Sequence, residues 1–179
     1  GSSYTFTCAT SIGDIIYIGT KENGMYTTTI SVSSAFENIM PSGPARNNIF
    51  ALQTTTTLLW AVYGDYDLFY NPYGLDSYGI SKYSETGWLN IPYEKVFGAK
   101  SMVRIAVNPT NEKEIYASSF FSGLLKIVDD IPEILYNQTN SALESLILVP
   151  PNPSYIDIRI NGTAFDKSGN LWVTNSLIK

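Results

Sequence analysis

Histidine does not occur among the 179 residues, and cysteine occurs once, at Cys8. The first absence removes Ser-His-Asp and Cys-His nucleophile activation, His-ligated zinc and the commonest general base near neutral pH. The second removes intrachain disulfides and CxxC sites. In the alternating segment Tyr4, Phe6, Cys8 the thiol is expected to act as a small buried hydrophobe. Charged residues make up only 15%, the formal net charge is −5 and no basic cluster occurs, so the electrostatic footprint of a nucleic-acid binder is missing. No apolar run approaches the roughly 18 residues of a membrane-spanning helix. Glycine-rich phosphate loops are absent, and no pair of carboxylates is spaced as an acid and a base. These gaps favour a protein that binds over one that catalyses; no catalytic residue, metal or cofactor is assigned.

What the sequence does contain is a repeat. The stretch FDKSGNLWVTNS, residues 165–176, joins an Asp-x-Ser-Gly-Asn turn to an alternating run and reads as a hairpin whose second strand begins near Leu171. Comparable stretches lead into strands carrying Tyr17, Trp60 and Tyr116. These aromatic positions and Trp172 are 43, 56 and 56 residues apart. A period of about 40 to 50 residues with four short strands per unit is the signature of propeller blades. Third strands open on glycine at Gly24, Gly79 and Gly123, and fourth strands are expected at 87–91 and 134–137. First strands are expected at 4–9, 49–53, 103–108 and about 156–165. The repeated Tyr and Trp are read as packing between neighbouring blades. Ser141 to Leu148 is the one short helix candidate, with an extended loop as the alternative.

The expected fold is therefore all-β: a β-propeller segment of about three and a half four-stranded blades, taken as one partial domain over 1–179. The blades span approximately 4–40, 45–92, 101–138 and an incomplete 156–179. An arc of that size leaves sheet edges bare, so the chain is expected to belong to a larger propeller.

In such a fold the second-to-third and fourth-to-first strand connections emerge on one face. The insertion 64–78 is a second-to-third connection carrying Tyr66, Phe69, Tyr70, Tyr73 and Tyr78, and 118–123 brings Phe120 and Phe121 to the same position in the next blade. Arg46, Lys95 and Lys100 lie on fourth-to-first connections, with Arg104 just inside a strand. Loop aromatics beside a few cations suit sugars, glycolipids or protein partners, while the alternative is an insertion packed on itself. The candidate ligand-binding set is Tyr66, Phe69, Tyr70, Tyr73, Phe120, Phe121, Arg46, Lys95 and Lys100. Asp65 and Asp67 lack the rest of a calcium loop, and Asp14, Asp129, Asp130 and Asp166 are read as turn residues.

The phrase FDKSGNLWVTNS, with the Gly-led third strands, resembles the repeat of two-component-regulator propellers, the extracellular sensor arrays of Bacteroidetes. From about Ala45 onward a closer likeness covers most of the chain. LLWAVYGDYD, YGISKYSETGWLNIPY, NPTNEKEIYASSFFSGLLKI, LYNQTNSALESL and FDKSGNLWVTNSLIK are similar to the PorZ family of the type IX secretion system. That resemblance implies a non-enzymatic cell-surface component with two propellers and a C-terminal sorting domain. It would sit on the outer membrane in the attachment complex, beside the sortase PorU, the shuttle PorV and PorQ, and would bind anionic lipopolysaccharide and present it to the sortase. No ligand residue carries over by motif, so the site residues remain those picked by loop geometry. The alternative is the periplasmic ligand-sensing propeller of a hybrid two-component system, and a propeller lyase or glycosidase is a third reading. An immunoglobulin-like domain, one membrane span and a kinase in the full gene would mark the sensor.

Overall fold

The structure is a computed structural model, and it describes residues 5–21, 24–39, 42–147, 150–152 and 155–176. Fourteen strands occur among the described residues. They are β1 Phe6–Ile12, β2 Ile15–Thr20, β3 Met25–Thr29, β4 Val32–Ile39, β5 Ala51–Thr54, β6 Leu59–Val62, β7 Ile80–Ser84, β8 Gly87–Ile91, β9 Met102–Asn108, β10 Asn111–Ser119, β11 Gly123–Val128, β12 Ile131–Tyr136, β13 Arg159–Phe165 and β14 Leu171–Ser176. They form three four-stranded antiparallel meanders, β1–β4, β5–β8 and β9–β12, and the two-stranded sheet β13–β14. A 3-10 turn, Tyr93–Lys95, interrupts the β8–β9 connection. Residues 141–147 are not helical; Tyr4, Met40, Leu148 and 177–179 lie outside the described residues.

The chain divides into two compact units, Gly1–Ser42 and Gly43–Lys179. In the first unit, β1 pairs only with β2 among the described residues, and all seven of its residues are exposed. Cys8 is therefore exposed, against the expectation from its apolar neighbours, because the residues on both faces of β1 are exposed.

The second unit holds its core between sheets. Trp60, Val62 and Ile80 of one sheet meet Ile105, Ile115, Leu125 and Ile127 of the next, and Leu124 with Tyr116 and Tyr136 meets Ile158, Ile160, Leu171 and Val173. Burying a Val, Leu, Ile or Phe side chain contributes about 1.5–3 kcal/mol, so these layers hold successive sheets face to face. Trp60 is 1% exposed and Tyr116 packs 5.9 Å from Phe165, as inter-blade packing requires. Trp172 differs. Alternation puts it on the face opposite Leu171 and Val173, where it is 66% exposed and donates its indole N–H to Asp166 at 2.9 Å.

The glycine opening the third strand has a steric cause. A Cβ on Gly79 would lie 1.9 Å from the Ile91 carbonyl oxygen, and one on Gly123 would lie 2.0 Å from that of Tyr136. In both sheets the end of the fourth strand comes down on this residue, and Gly123 also has φ +121°. First strands β5, β9 and β13 lie next to one another, and their residues line a cavity of about 830 Å³ with Gln53, Arg104 and Thr163 on its walls.

Candidate functional site

Four connections of the second unit meet at one end of the sheets: 63–79, 92–101, 120–122 and the described parts of 137–158. Backbone bonds fasten them. Gly64 N–H donates to the Met102 carbonyl at 2.8 Å, Ser101 N–H to Asp76 at 2.8 Å, and Phe120 N–H to Ser101 at 2.9 Å. The closest approach again needs a glycine, since a Cβ on Gly64 would stand 2.3 Å from Met102 N.

The insertion turns on Asp67. Its Oδ1 accepts the N–H groups of Phe69 at 2.8 Å and Asn71 at 3.0 Å, while Tyr70 N–H donates to its carbonyl and its own N–H to the Asn71 carbonyl. Asp67 is thus a turn acceptor, the use to which the structure also puts Asp166. The turn holds Leu68 and Phe69 out, 95% and 88% exposed, and sets Tyr70 at φ +57°.

Behind the tip the aromatics stack. Tyr66 lies 5.4 Å from Tyr70, 4.8 Å from Phe120 and 5.0 Å edge-on to Phe50. A second group joins Tyr73 to Phe121 at 6.5 Å and Phe121 to Tyr155 at 6.4 Å. The structure therefore brings Tyr66, Phe69, Tyr70, Tyr73, Phe120 and Phe121 to one place, in unequal roles. Phe120 is 3% exposed and forms the floor of the stack, so it holds the loop up and is not a free contact surface, whereas Phe69 and Tyr73 face outward. The cations do not join them as one set. Arg46 sits 3.8 Å above the Tyr78 ring and donates to Asn48, Lys95 is exposed at the end of the 3-10 turn, and Lys100 lines a separate cavity of about 390 Å³ with Phe121 and Tyr155.

The residues that fasten the stack come from the strand leading into β13 and from its start. Tyr73 and Tyr155 share a hydroxyl bond at 2.8 Å, and Tyr155 O–H donates to Asp157 Oδ2 at 3.2 Å. Arg159 donates from Nε and Nη2 to the two oxygens of Asp157 at 3.0 Å each, and from Nη1 to the Tyr70 carbonyl at 3.1 Å. Asp157 is buried, and this pairing satisfies its charge. The bond to Tyr73, then burial, then the Asp157 charge push the Tyr155 phenol above its ordinary range, so it stays a neutral donor. Hydrogen bonding to Asp157 likewise raises Arg159. Asn161, at a bulge between Ile160 and Gly162, donates to the Tyr66 hydroxyl at 3.3 Å. Bulges commonly re-aim a side chain in this way.

Between the insertion and β13–β14 lies a cavity of about 630 Å³, walled by Phe69, Tyr70 and Phe120 on one side and by Arg104, Arg159, Asn161 and Asn175 on the other. Tyr155, Asp157, Arg159, Asn161 and Asn175 are absent from the sequence-derived set. A signal for most of them was there: Tyr155, Asp157, Arg159 and Asn161 alternate with Ile156, Ile158 and Ile160, a strand with one apolar and one polar face.

Consecutive four-stranded meanders, first strands side by side and loops gathered at one end, define a β-propeller fold. Among solved structures the chain is similar to PorZ, described as an essential bacterial surface component of the type IX secretion system of Porphyromonas gingivalis. The TM-score is 0.70 at 20% identity, over 95% of this chain and 23% of that one. The chain thus spans about a quarter of that protein's length, and at this identity the likeness shows the fold. Extracellular domains assigned to a hybrid two-component system and to a one-component system of B. thetaiotaomicron align less well, with TM-scores of 0.46 and 0.44 at 13% and 16% identity. They cover 96% and 95% of this chain and 21% and 20% of theirs. No family model matches the chain, and no curated protein does.

Proposed function

We propose that the chain is part of a non-enzymatic binding component at the cell surface, PorZ-like in role, within one propeller domain. In this reading it holds anionic lipopolysaccharide at the outer membrane and presents it to the sortase PorU of an attachment complex that includes PorV and PorQ. The observation that supports it most is the presentation of Phe69, Tyr70 and Tyr73 outward from a loop packed on Tyr66 and the buried Phe120, next to a cavity bordered by guanidinium and amide groups. Rigid aromatic surface beside convergent polar groups is how proteins grip glycans and glycolipids. The sequence contains no histidine, and the Tyr155–Asp157–Arg159 chain is occupied in fastening the loop, which favours binding over turnover.

The test is recovery of the full-length native protein from its own envelope, with mass spectrometry for proteins and lipopolysaccharide. Co-purification of a sortase, an outer-membrane barrel and anionic lipopolysaccharide is expected. Recovery with an inner-membrane kinase instead would overturn the reading in favour of a sensor. Phe69→Ala with Tyr73→Ala is expected to weaken lipopolysaccharide binding about tenfold or more, because exposed aromatic anchors carry roughly 1–2 kcal/mol each, while leaving the circular dichroism spectrum unchanged.

A further inference from the structure

The cavity between the insertion and β13–β14 has an unbalanced polar wall. Arg159 is neutralised by Asp157, but Arg104, exposed on β9, has no carboxylate partner among the described residues. The Asn175 amide is oriented by the Glu144 N–H, which donates to its Oδ1 at 2.6 Å. That leaves Asn175 Nδ2 buried without a hydrogen-bond partner, in a residue that lines the same cavity. A buried donor is costly to leave unpaired, so a polar acceptor belongs there. Asn161 Nδ2 gives one hydrogen to Tyr66 and keeps another. Thr174 is spent on the bulge, where its Oγ1 accepts from Gly162 N–H at 3.0 Å and donates to the Gly162 carbonyl at 3.2 Å. The side chains still open to a ligand therefore supply amide donors and a positive charge, with the Ser176 hydroxyl and Asn161 Oδ1 beside them, facing the Phe69 and Tyr70 rings.

We infer that this cavity is a subsite for an acidic sugar, its oxyanion taken by Arg104 and Asn175 and the C–H face of its ring lying against Phe69 and Tyr70. The inference rests on the reading of the protein as a glycan-binding component and adds which group of the glycan is recognised and where. A guanidinium and an amide donor suit either a carboxylate or a phosphate. Arg104 also lines the cavity formed by the first strands, so it stands where the two cavities adjoin.

The test is titration of the full chain with galacturonic acid, glucose 6-phosphate, galactose and inorganic phosphate, followed by NMR on the Asn175 side-chain amide and by calorimetry. One or both acidic sugars are expected to move that amide, and which one does tells carboxylate from phosphate recognition. Galactose is expected to bind at least tenfold more weakly than the uronate if the carboxylate is read. Arg104→Gln removes the charge at an exposed position, and Asn175→Asp keeps the acceptor for Glu144 N–H while replacing the donor by an anion. Each is expected to lower acidic-sugar affinity about tenfold or more. If galactose binds as well as both acidic sugars, if inorganic phosphate binds as well as either, or if neither acidic sugar moves the amide, the subsite is overturned. The outcome also separates the two claims. Lipopolysaccharide binding that survives Arg104→Gln but falls with Phe69→Ala rejects the subsite and keeps the proposed function. Acidic-sugar binding without lipopolysaccharide binding does the reverse.

Discussion

Asp67 and Asp166 make the same bonds, residue for residue: N–H to the carbonyl four positions on, Oδ1 to the second and fourth following N–H groups, and the carbonyl to the third. The third position needs positive φ. Gly169 supplies it at +83° in one turn, and Tyr70 is held at +57° in the other. A non-glycine residue there costs roughly 1–2 kcal/mol, against about 0.5–1.5 kcal/mol gained by an aromatic pair such as Tyr70 and Tyr66. Tyr70→Gly is therefore expected to leave Tm within about 3 °C of the parent, whereas Tyr70→Ala keeps the backbone cost, loses the ring and lowers Tm further. Equal Tm values would refute this balance. Asp166 also bonds Trp172 Nε1 first of all, then Asn170 Nδ2 and backbone N–H groups, which holds its carboxyl down at about 2. A folded-state value below the unfolded one gives stability that is fully present above about pH 4 and is lost as pH falls toward 2. The Tm difference between the parent and Asp166→Asn, followed from pH 6 to pH 2, should shrink over that window. Asp157→Asn leaves Arg159 without its counter-charge in a half-buried position. It is expected to cost about 3 kcal/mol and to expose the 64–78 insertion to limited proteolysis.

At the scale of strands, much was legible. The turn residues, the period of the aromatics and the alternation of β14 placed the sheets, because hairpin turns and half-buried strands write local signals. The third-strand glycine was legible as a position, but its cause was not, since the Ile91 and Tyr136 carbonyls that forbid a Cβ lie at the far ends of the neighbouring fourth strands and meet it only through the register of the pairing. Gly123→Ala should be among the most damaging single changes in the chain. Steric overlap with backbone adds to a positive φ, about 3 kcal/mol or more together, and β12 amides should lose hydrogen-exchange protection first. The polar face of 155–161 was written in the sequence but its destination was not. Arg159 meets the carbonyl of Tyr70, 89 positions away, and no local pattern encodes that meeting. The division of labour among the aromatics was hidden for the same reason: Phe120 and Phe121 are neighbours in sequence, yet Phe120 lies in the Tyr66 and Tyr70 stack and Phe121 against Tyr73 and Tyr155.

For the molecule as a whole, both core clusters found among the described residues fall inside the second unit, Gly43–Lys179. Contacts across its sheets reinforce them: Lys82 pairs with Asp130, and Thr55 and Thr57 both donate to Glu112. Residues 43–179 expressed alone are accordingly expected to give a dispersed NMR spectrum and a single unfolding transition. A molten spectrum would show that the first sheet is needed. The two Asp turns carry a consequence of another kind. Lys167-Ser168-Gly169 and Leu68-Phe69-Tyr70 occupy equivalent positions in turns with the same bonds, so what anchors the turn does not depend on the side chains it displays. The displayed tip is therefore an interchangeable part, open to redesign without touching its anchor wherever the third position tolerates positive φ.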